Sequence, residues 1–528
     1  MTGPVRVQTR ARLRTKTGCL TCRRRRKKCD EVHPSCIECS HAKRTCEWPG
    51  SADLLDRRFS SHENSRHKPH PPSEVSSPEM SSPSLRKLVE PAETAQGNCS
   101  DLISQHPSPS SLSSIGHLRA ESGAAFVIIS RDTSVVLARH FVEKYYDLLL
   151  LPSCHASFYH SWLAEIEALM DSCKSLHYSA LACSAAHIQL TNNANVEQPV
   201  SPITYYTNAT KELSGMLGHT RQPEGDNGLL TSVILMYIHG CMGLGTYSDI
   251  PIHVNAAIRI LTIRLRKNKG RICHPFDKIA VESVLYQIFL VTTGLWSEPA
   301  GVMYAFDATF WDQADAVLRK SAFFPGLPRS LDSPVLGVPT SLFRLALELR
   351  QQFGTGLPPD PDLLQRVQHE VEDWEAALLS EELTGFDTKL CEDDGHNAAE
   401  VSQQIYQDAE RLYAVIVSLL FEQLTSHDVS DGPPLPNSQA WQVRKALRIL
   451  KRHENNGAWS KCYIGNWPVY TIGFFMHSRE DQDVVRKEMQ RRWEKMGFAQ
   501  IARFRNDLEA TWASRELSQS TSGSIEPL

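Results

Sequence analysis

The chain has 528 residues, with 56 Lys and Arg against 60 Asp and Glu, a formal net charge of −4, 41% apolar residues and 22% charged residues. That composition excludes a wholly disordered chain and a fibrous or collagen-like one, and the length permits one large core with small modules attached. The near-neutral total conceals a polarity: residues 1–50 sum to +9 and the remainder to −13. Such asymmetry implies a basic end that meets a polyanion and an acidic body that does not.

The chain opens on residues 1–17, a basic stretch containing Arg6, Arg10, Arg12, Arg14 and Lys16. Without an apolar core to bury, it is expected to be a disordered arm that tracks phosphates or assists import. It lacks the apolar run and cleavage site of a secretory leader, so a reducing compartment, and thiolate ligands in place of disulfides, are expected.

Residues 18–48 hold six of the 14 cysteines, spaced Cys19-x2-Cys22-x6-Cys29-x6-Cys36-x2-Cys39-x6-Cys46. This is one unit, Cys-x2-Cys-x6-Cys, written twice. A Cys-x2-Cys step lets two thiolates face one metal, and structural Zn²⁺ takes four ligands in a tetrahedron. Two separate zinc ions would need eight ligands. With six cysteines, two must bridge both ions, most symmetrically the first of each unit, Cys19 and Cys36. The alternative recruits His33 and His41 to complete two independent sites, and leaves the duplicated spacing unexplained. So small a segment has almost no apolar core, so the expected two Zn²⁺ per chain would also be its fold. Between Cys22 and Cys29 stand six consecutive cations, Arg23 to Lys28.

From Gly18 to Trp48 these residues resemble the DNA-binding domain of the fungal zinc binuclear cluster (Zn2Cys6) transcription factors. The six spacings agree, the basic run follows the second cysteine, and Pro34 stands two residues before the fourth. The resemblance implies a short metal-anchored helix in the major groove of double-stranded DNA, with base contacts from Arg25 and Arg26 and a further close contact from Lys28. An arginine fork matches guanine O6/N7, and the family's preference for CGG triplets fits that chemistry. Arg23, Arg24, Lys27, Lys43 and Arg44 are assigned to phosphates, which position the module without reading sequence. Many family members continue into a coiled coil, but residues 51–70 offer only Leu54, Leu55 and Phe59 in place of a heptad. Binding is therefore expected either as a homodimer through the helical body or as a monomer.

Residues 49–120 form the next segment, and its stretch 71–115 carries 13 Ser and 7 Pro. Such residues bury too little to offset the roughly 1–2 kcal/mol that ordering each backbone unit costs. A disordered linker is expected.

Residues 121–515 carry a helical period throughout. Leu137, Phe141, Tyr145 and Leu148 recur at spacings of four, four and three behind a cap at Asp132 or Thr133. Further helices are expected over 162–170, 177–188, 205–217, 229–242, 253–265, 278–295, 363–379, 405–424, 440–453 and 481–512. The apolar stretch Ile279 to Trp296 is interrupted by Glu282 and Gln287 and reads as a core helix, not a membrane span. An all-α body of ten or more helices is the expected fold class, joined to the small metal-built module by the linker. It resembles, in composition and order, the fungal-specific regulatory domain that accompanies such clusters. Tyr145, Tyr146, Trp374 and Tyr413 are read as core, and Glu381 to Asp394 as an acidic and apolar activation segment or an interhelix loop. Residues 516–528 are expected to be a disordered tail.

An enzyme is not expected: there is no His-Glu-x-x-His, no Gly-x-Ser-x-Gly and no phosphate-binding glycine loop with lysine. His239 and His253 read as core histidines, and the eight scattered cysteines as small buried hydrophobes. The expected function is that of a nuclear, sequence-specific DNA-binding transcription factor of RNA polymerase II genes for metabolism or secondary metabolites. Its partners would be DNA and the transcription machinery or co-regulators, without a membrane. The rival is a helical-bodied enzyme or scaffold that uses the zinc module for nonspecific nucleic-acid attachment.

Overall fold

The computed structural model describes residues 19–48 without 26, 28 and 31–33, and residues 133–522 without 153, 192–200, 220–221, 243–244, 299–303, 329–330, 356, 384–397 and 427–431. The expected linker and arm, residues 523–528 of the expected tail and most of the Glu381 to Asp394 segment lie outside the described residues, whereas residues 516–522, expected to be disordered, continue the last helix of the chain. The chain forms two compact units, one N-terminal and one C-terminal.

The N-terminal unit holds two single-turn helices, α1 (Leu20–Arg24) and α2 (Ile37–His41), each beginning just after the first cysteine of a repeat unit. Its core is cysteine: Cys19, Cys22, Cys36 and Cys39 are wholly buried, with Cys29, Cys46 and Trp48 packed around them.

The second unit is helical, with no strand among the described residues. Its helices are α3 (Thr133–His140), α4 (Ala156–Ser172), α5 (Lys174–Thr191), α6 (Pro202–His219), α7 (Asn227–Cys241), α8 (Ile250–Lys267), α9 (Pro275–Thr293), α10 (Ala308–Arg319) and α11 (Thr340–Arg350). They continue with α12 (Pro361–Leu383), α13 (Ala398–Thr425), α14 (Trp441–Arg452), α15 (Gly457–Lys461), α16 (Asn466–Gly473), α17 (Arg479–Met496) and α18 (Ala499–Ser522). Local signals set many ends. Asp226, Asp307 and Ser478 cap α7, α10 and α17 by accepting the backbone N–H of Leu229, Thr309 and Asp481 at 2.9, 2.9 and 3.1 Å. Proline occupies the first turn of α9, where its missing N–H costs nothing.

The periodic reading located most of these helices. Leu137, Phe141, Tyr145 and Leu148 are all buried, although only the first turns are α: Phe141–Tyr145 widens into a π turn and Tyr146–Leu148 tightens into a 3₁₀ turn. The single helix expected over 481–512 is two helices. Gly497 ends α17 in the left-handed region, with φ 61°, and α18 starts two residues later. Helices α10, α11, α15 and α16 were not anticipated. α9 runs through the centre with nearly every residue buried, and no helix among the described residues is long and apolar enough to cross a membrane.

Polar groups drawn into this core are bonded over long sequence distances. Glu282 on α9 accepts Ser333 Oγ at 2.7 Å and the N–H groups of Val335 and Leu336 at 2.9 and 3.1 Å, anchoring the irregular chain ahead of α11. Tyr286 and Tyr413 donate their hydroxyls to the carbonyls of Tyr463 and Ile464, both at 3.0 Å. The core histidines are not isolated either. His253 Nε2 meets the Tyr206 hydroxyl at 2.8 Å, and His239 stacks on the same ring while its Nδ1 meets Thr246 Oγ1 at 3.0 Å. Tyr145, Tyr146 and Tyr413 are buried as expected and Trp374 is half-buried. Among the scattered cysteines, Cys273 departs from the expectation: it is exposed, while Cys183 and Cys462 are buried. Cys99 and Cys391 lie outside the described residues.

Candidate metal centre and nucleic-acid interface

The repeat in the sequence becomes a repeat in space. Cys22 N–H donates to Cys19 Sγ at 3.3 Å, and Cys39 N–H to Cys36 Sγ at 3.4 Å. Cys19 N–H donates to Cys29 Sγ at 3.4 Å, and Cys36 N–H to Cys46 Sγ at 3.4 Å. Each unit therefore folds its three cysteines onto itself with the same two N–H···S bonds, and the units then face each other. Across that divide Cys19 Sγ lies 3.7 Å from both Cys36 and Cys39 Sγ, and Cys22 Sγ lies 3.6 and 3.8 Å from the same pair.

These spacings test the chemistry. Four thiolates around one tetrahedral Zn²⁺, with Zn–S about 2.3 Å, stand about 3.8 Å from one another. The four buried sulfurs meet that requirement. Of these four, Cys19 and Cys36 each also donate their backbone N–H to an outer cysteine, Cys29 and Cys46 respectively. Asp30 adds an oxygen close to Cys29 and Cys36 while its carboxylate accepts the Ile37 N–H at 3.1 Å. His41 is exposed and outside both metal-competent groups, and His33 lies outside the described residues.

Burial holds the Cys19 thiol well above its ordinary range, pushes Cys22 up to about 12 and raises Cys39. Cys36 moves down although burial opposes it, because the Cys39 N–H and neighbouring thiols donate to its sulfur; Cys46 moves down chiefly through the Cys36 N–H. Thiolates in so closed a space require a cation, and a divalent ion supplies that charge.

The expected DNA-contacting cations divide. Lys27, Lys43 and Arg44 are exposed, with no ion-pair partner among the described residues. Two of them occupy equivalent positions in the repeat: the Lys27 N–H donates to the Cys22 carbonyl and the Arg44 N–H to the Cys39 carbonyl, both at 3.0 Å. Lys43 takes φ 47°, a left-handed turn that directs the chain back after α2. Arg24 forms an ion pair with Glu47, a partner that sequence reasoning did not supply. Arg25 is half-buried beyond the end of α1, its Nη1 shielded from solvent and without a partner among the described residues. Arg26, Lys28 and the Arg23 side chain lie outside the described residues.

The strand of contacts that closes the module was likewise unforeseen. Thr21 Oγ1 donates to the Thr45 carbonyl at 2.9 Å and accepts the Glu47 N–H at 3.2 Å, while Leu20 N–H donates to the Glu47 carbonyl at 2.7 Å. Trp48 Nε1 donates to the Pro34 carbonyl at 2.9 Å. The signal available was the position of Thr21 directly before Cys22 and of Trp48 two residues after Cys46.

Comparison with known proteins places both units. The model of the fungal specific transcription factor domain matches residues 136–524, most of the chain, and that of the fungal Zn(2)-Cys(6) binuclear cluster domain matches residues 17–53. The chain is 65% identical over 40 residues to the transcriptional regulatory protein moc3 of Schizosaccharomyces pombe, covering 7% of this chain and 8% of that one. It is 54% identical over 39 residues to transcription factor lfc1 of Flammulina velutipes, covering 7% of this chain and 14% of the relative. A longer match, 28% identical over 202 residues, covers 33% of this chain and 34% of the pestheic acid cluster transcriptional regulator 3 of Pestalotiopsis fici. The chain thus spans no more than about a third of the length of these relatives. No solved structure matches.

Proposed function

We propose a function from one premise, that the chain belongs to the family of the fungal specific transcription factor domain and carries a Zn(2)-Cys(6) cluster domain before it. It is a nuclear, sequence-specific regulator of transcription, not an enzyme. Two Zn²⁺ would be held by Cys19, Cys22, Cys29, Cys36, Cys39 and Cys46, with Cys19 and Cys36 serving both ions. The carrying observation is the pair of facing units whose inner sulfurs stand 3.6 to 3.8 Å apart, the spacing of thiolates that share a metal. The bound metal supplies only structure and charge: it fixes α1 and the basic run that follows it as a rigid projection.

On that projection Arg25 and Arg26 read bases, with Lys28 close by, and CGG-like triplets suit their guanidinium forks. Arg23, Lys27, Lys43 and Arg44 bind phosphates, and Arg24 joins them by exchanging Glu47 for a phosphate oxygen. The residue domains proposed are 1–17, 18–48, 49–120, 121–515 and 516–528. The acidic helical body serves regulation and homodimerisation and meets co-regulators. The regulators matched above include one named for a metabolite cluster, which supports target genes of that class.

The deciding experiment is binding of the full zinc-loaded chain to duplexes at matched salt. A CGG-containing duplex should bind at least tenfold tighter than a scrambled one. Equal affinity for both would leave nonspecific attachment, the scaffold reading, in its place.

A further inference from the structure

In the helical body, α7, α9, the 3₁₀ turn after α3, and the segments around Val335, Tyr463 and Phe498 leave a cavity of about 90 Å³ that opens to solvent. Four aromatic rings, Tyr237, Tyr286, Tyr463 and Phe498, form much of its wall, and no charged side chain lines it. Two of the tyrosine hydroxyls there are consumed. Tyr286 donates to the Tyr463 carbonyl at 3.0 Å, and Tyr463 donates to the Val335 carbonyl at 3.0 Å. Gln287 keeps a buried acceptor without a partner among the described residues: its side chain is 3% exposed, it lines the cavity, and no donor reaches its Oε1. Gln287 is also the amide that interrupts the apolar run of α9, where a leucine would pack without leaving a carbonyl unpaired. Retaining a buried amide with an idle acceptor costs stability, unless something comes to fill it.

We infer that this cavity binds a small, uncharged aromatic molecule bearing a hydroxyl, whose ring stacks among the four aromatic side chains and whose hydroxyl pairs with the Gln287 amide. Aromatic walls suit a flat ring. The absence of a charged lining residue disfavours carboxylates and amines, whose desolvation nothing there would offset. A hydroxyl both donates and accepts, so it suits either orientation of the amide. An engineered cavity of about 150 Å³ holds benzene, so the present one, at about 90 Å³, admits only part of a single ring and the remainder projects through the opening.

The test uses phenol, toluene and benzoate as probes in calorimetric titrations of the full zinc-loaded chain, so the readout does not depend on DNA binding. Phenol should saturate one site and bind at least tenfold tighter than either of the others. Gln287→Leu should abolish the preference for phenol over toluene while leaving toluene affinity within about twofold, and should melt at or above the temperature of the parent. Ile238→Trp, which fills the space, should remove both ligands; Leu290→Trp serves the same purpose if the first variant does not fold. Benzoate binding as tightly as phenol would overturn the inference. So would phenol affinity unchanged by Gln287→Leu, or a Gln287→Leu chain that unfolds, since the amide would then be a structural group.

Discussion

Arg492 and Glu488 form an ion pair from which solvent is wholly excluded, with Arg492 Nε donating to Glu488 Oε1 at 2.7 Å and neither side chain exposed. The same guanidinium donates through Nη1 to the Cys462 carbonyl at 2.8 Å and to Asn466 Oδ1 at 3.0 Å, and lies over the Trp459 ring at 5.0 Å. It pins α17 to the chain between α15 and α16. Gly465 is where they meet, because a Cβ there would stand 2.8 Å from Arg492 Nη2.

Removing one member of such a pair strands the other. Arg492→Met leaves Glu488 with only the half-exposed Arg491 at 2.7 Å. A loss of about 3–5 kcal/mol is expected in urea denaturation of the full chain, whereas Arg492→Met with Glu488→Leu recovers most of it because no buried charge is left unmatched. A double variant no better than the single one would show that the pair is worth its full desolvation cost.

A second prediction concerns the break between α17 and α18. Gly497 adopts φ 61°, and a Cβ there would stand 2.3 Å from Thr191 Cγ2 and 3.1 Å from His187 Nε2. Gly497→Ala therefore combines left-handed strain of about 1–2 kcal/mol with overpacking of about 1–3 kcal/mol. Thr191→Ala removes the clashing methyl and should restore the second part alone. Additive losses in the two variants would mean that the loop shifts instead of clashing.

This break also marks the limit of what could be read from the sequence. Gly497 stands inside a run with helical period, and a lone glycine there is tolerated often enough to be read through; its left-handed turn follows from the close approach of α5, which no local pattern records. Helices such as α4 and α8 were legible because each buries one stripe, α7 and α9 because each is a long apolar run, and the Cys-x2-Cys-x6-Cys unit because metal ligation is written in spacing. What escaped was nonlocal. Glu282 seemed an interruption of α9, yet it organises a segment about fifty residues away, and the Arg24–Glu47 pair joins residues on opposite sides of the cysteines. α16 was missed for the opposite reason: every residue of Asn466–Gly473 is buried, so no polar face betrays its period.

Acid should weaken the body before it protonates most carboxylates. Burial pushes both His239 and His253 down to about 4; the charge of His253 pushes His239 further down, while Asp249 opposes the shift of His253. Their unfolded value is about 6.5, so between pH 6.5 and 4 the unfolded chain binds more protons and stability falls as pH falls. Each contributes on the order of 3 kcal/mol, present above pH 6.5 and lost by about pH 4. The urea midpoint at pH 7 and pH 4.5 measures this, and His253→Gln should reduce the difference without abolishing it, because His239 and His140, which burial also pushes down to about 4, remain. The same slope in that variant would assign the acid sensitivity to other groups.

The zinc proposal makes a stoichiometric prediction. Elemental analysis of the full chain should give two zinc ions, and Cys36→Ser should lose more than Cys46→Ser, because a bridging thiolate serves both ions and an outer one serves a single ion. Chelation should unfold the N-terminal unit and leave the melting of the helical body, which has its own core, unchanged. One zinc per chain would exclude the bridged cluster.

Base reading and phosphate binding separate by their dependence on sequence and salt. Arg25 follows α1 with its guanidinium half-buried, positioned by the metal-built core, whereas Lys43 stands exposed on the turn after α2 in the second repeat. Loss of a bidentate base contact costs about 1–3 kcal/mol on the preferred site and little elsewhere, while loss of a phosphate contact weakens every duplex alike. Arg25→Ala should therefore narrow the ratio between CGG-containing and scrambled duplex about tenfold or more. Lys43→Ala should keep that ratio and reduce the slope of log affinity against log salt by about 1. Arg24→Ala tests the ion pair with Glu47: if Arg24 exchanges that carboxylate for phosphate, it should resemble Lys43→Ala, with a smaller loss because the broken pair offsets part of the gain. Equal losses on every duplex for Arg25→Ala and Lys43→Ala would remove the base-reading role from Arg25, since a side chain that only neutralises phosphate cannot tell one sequence from another.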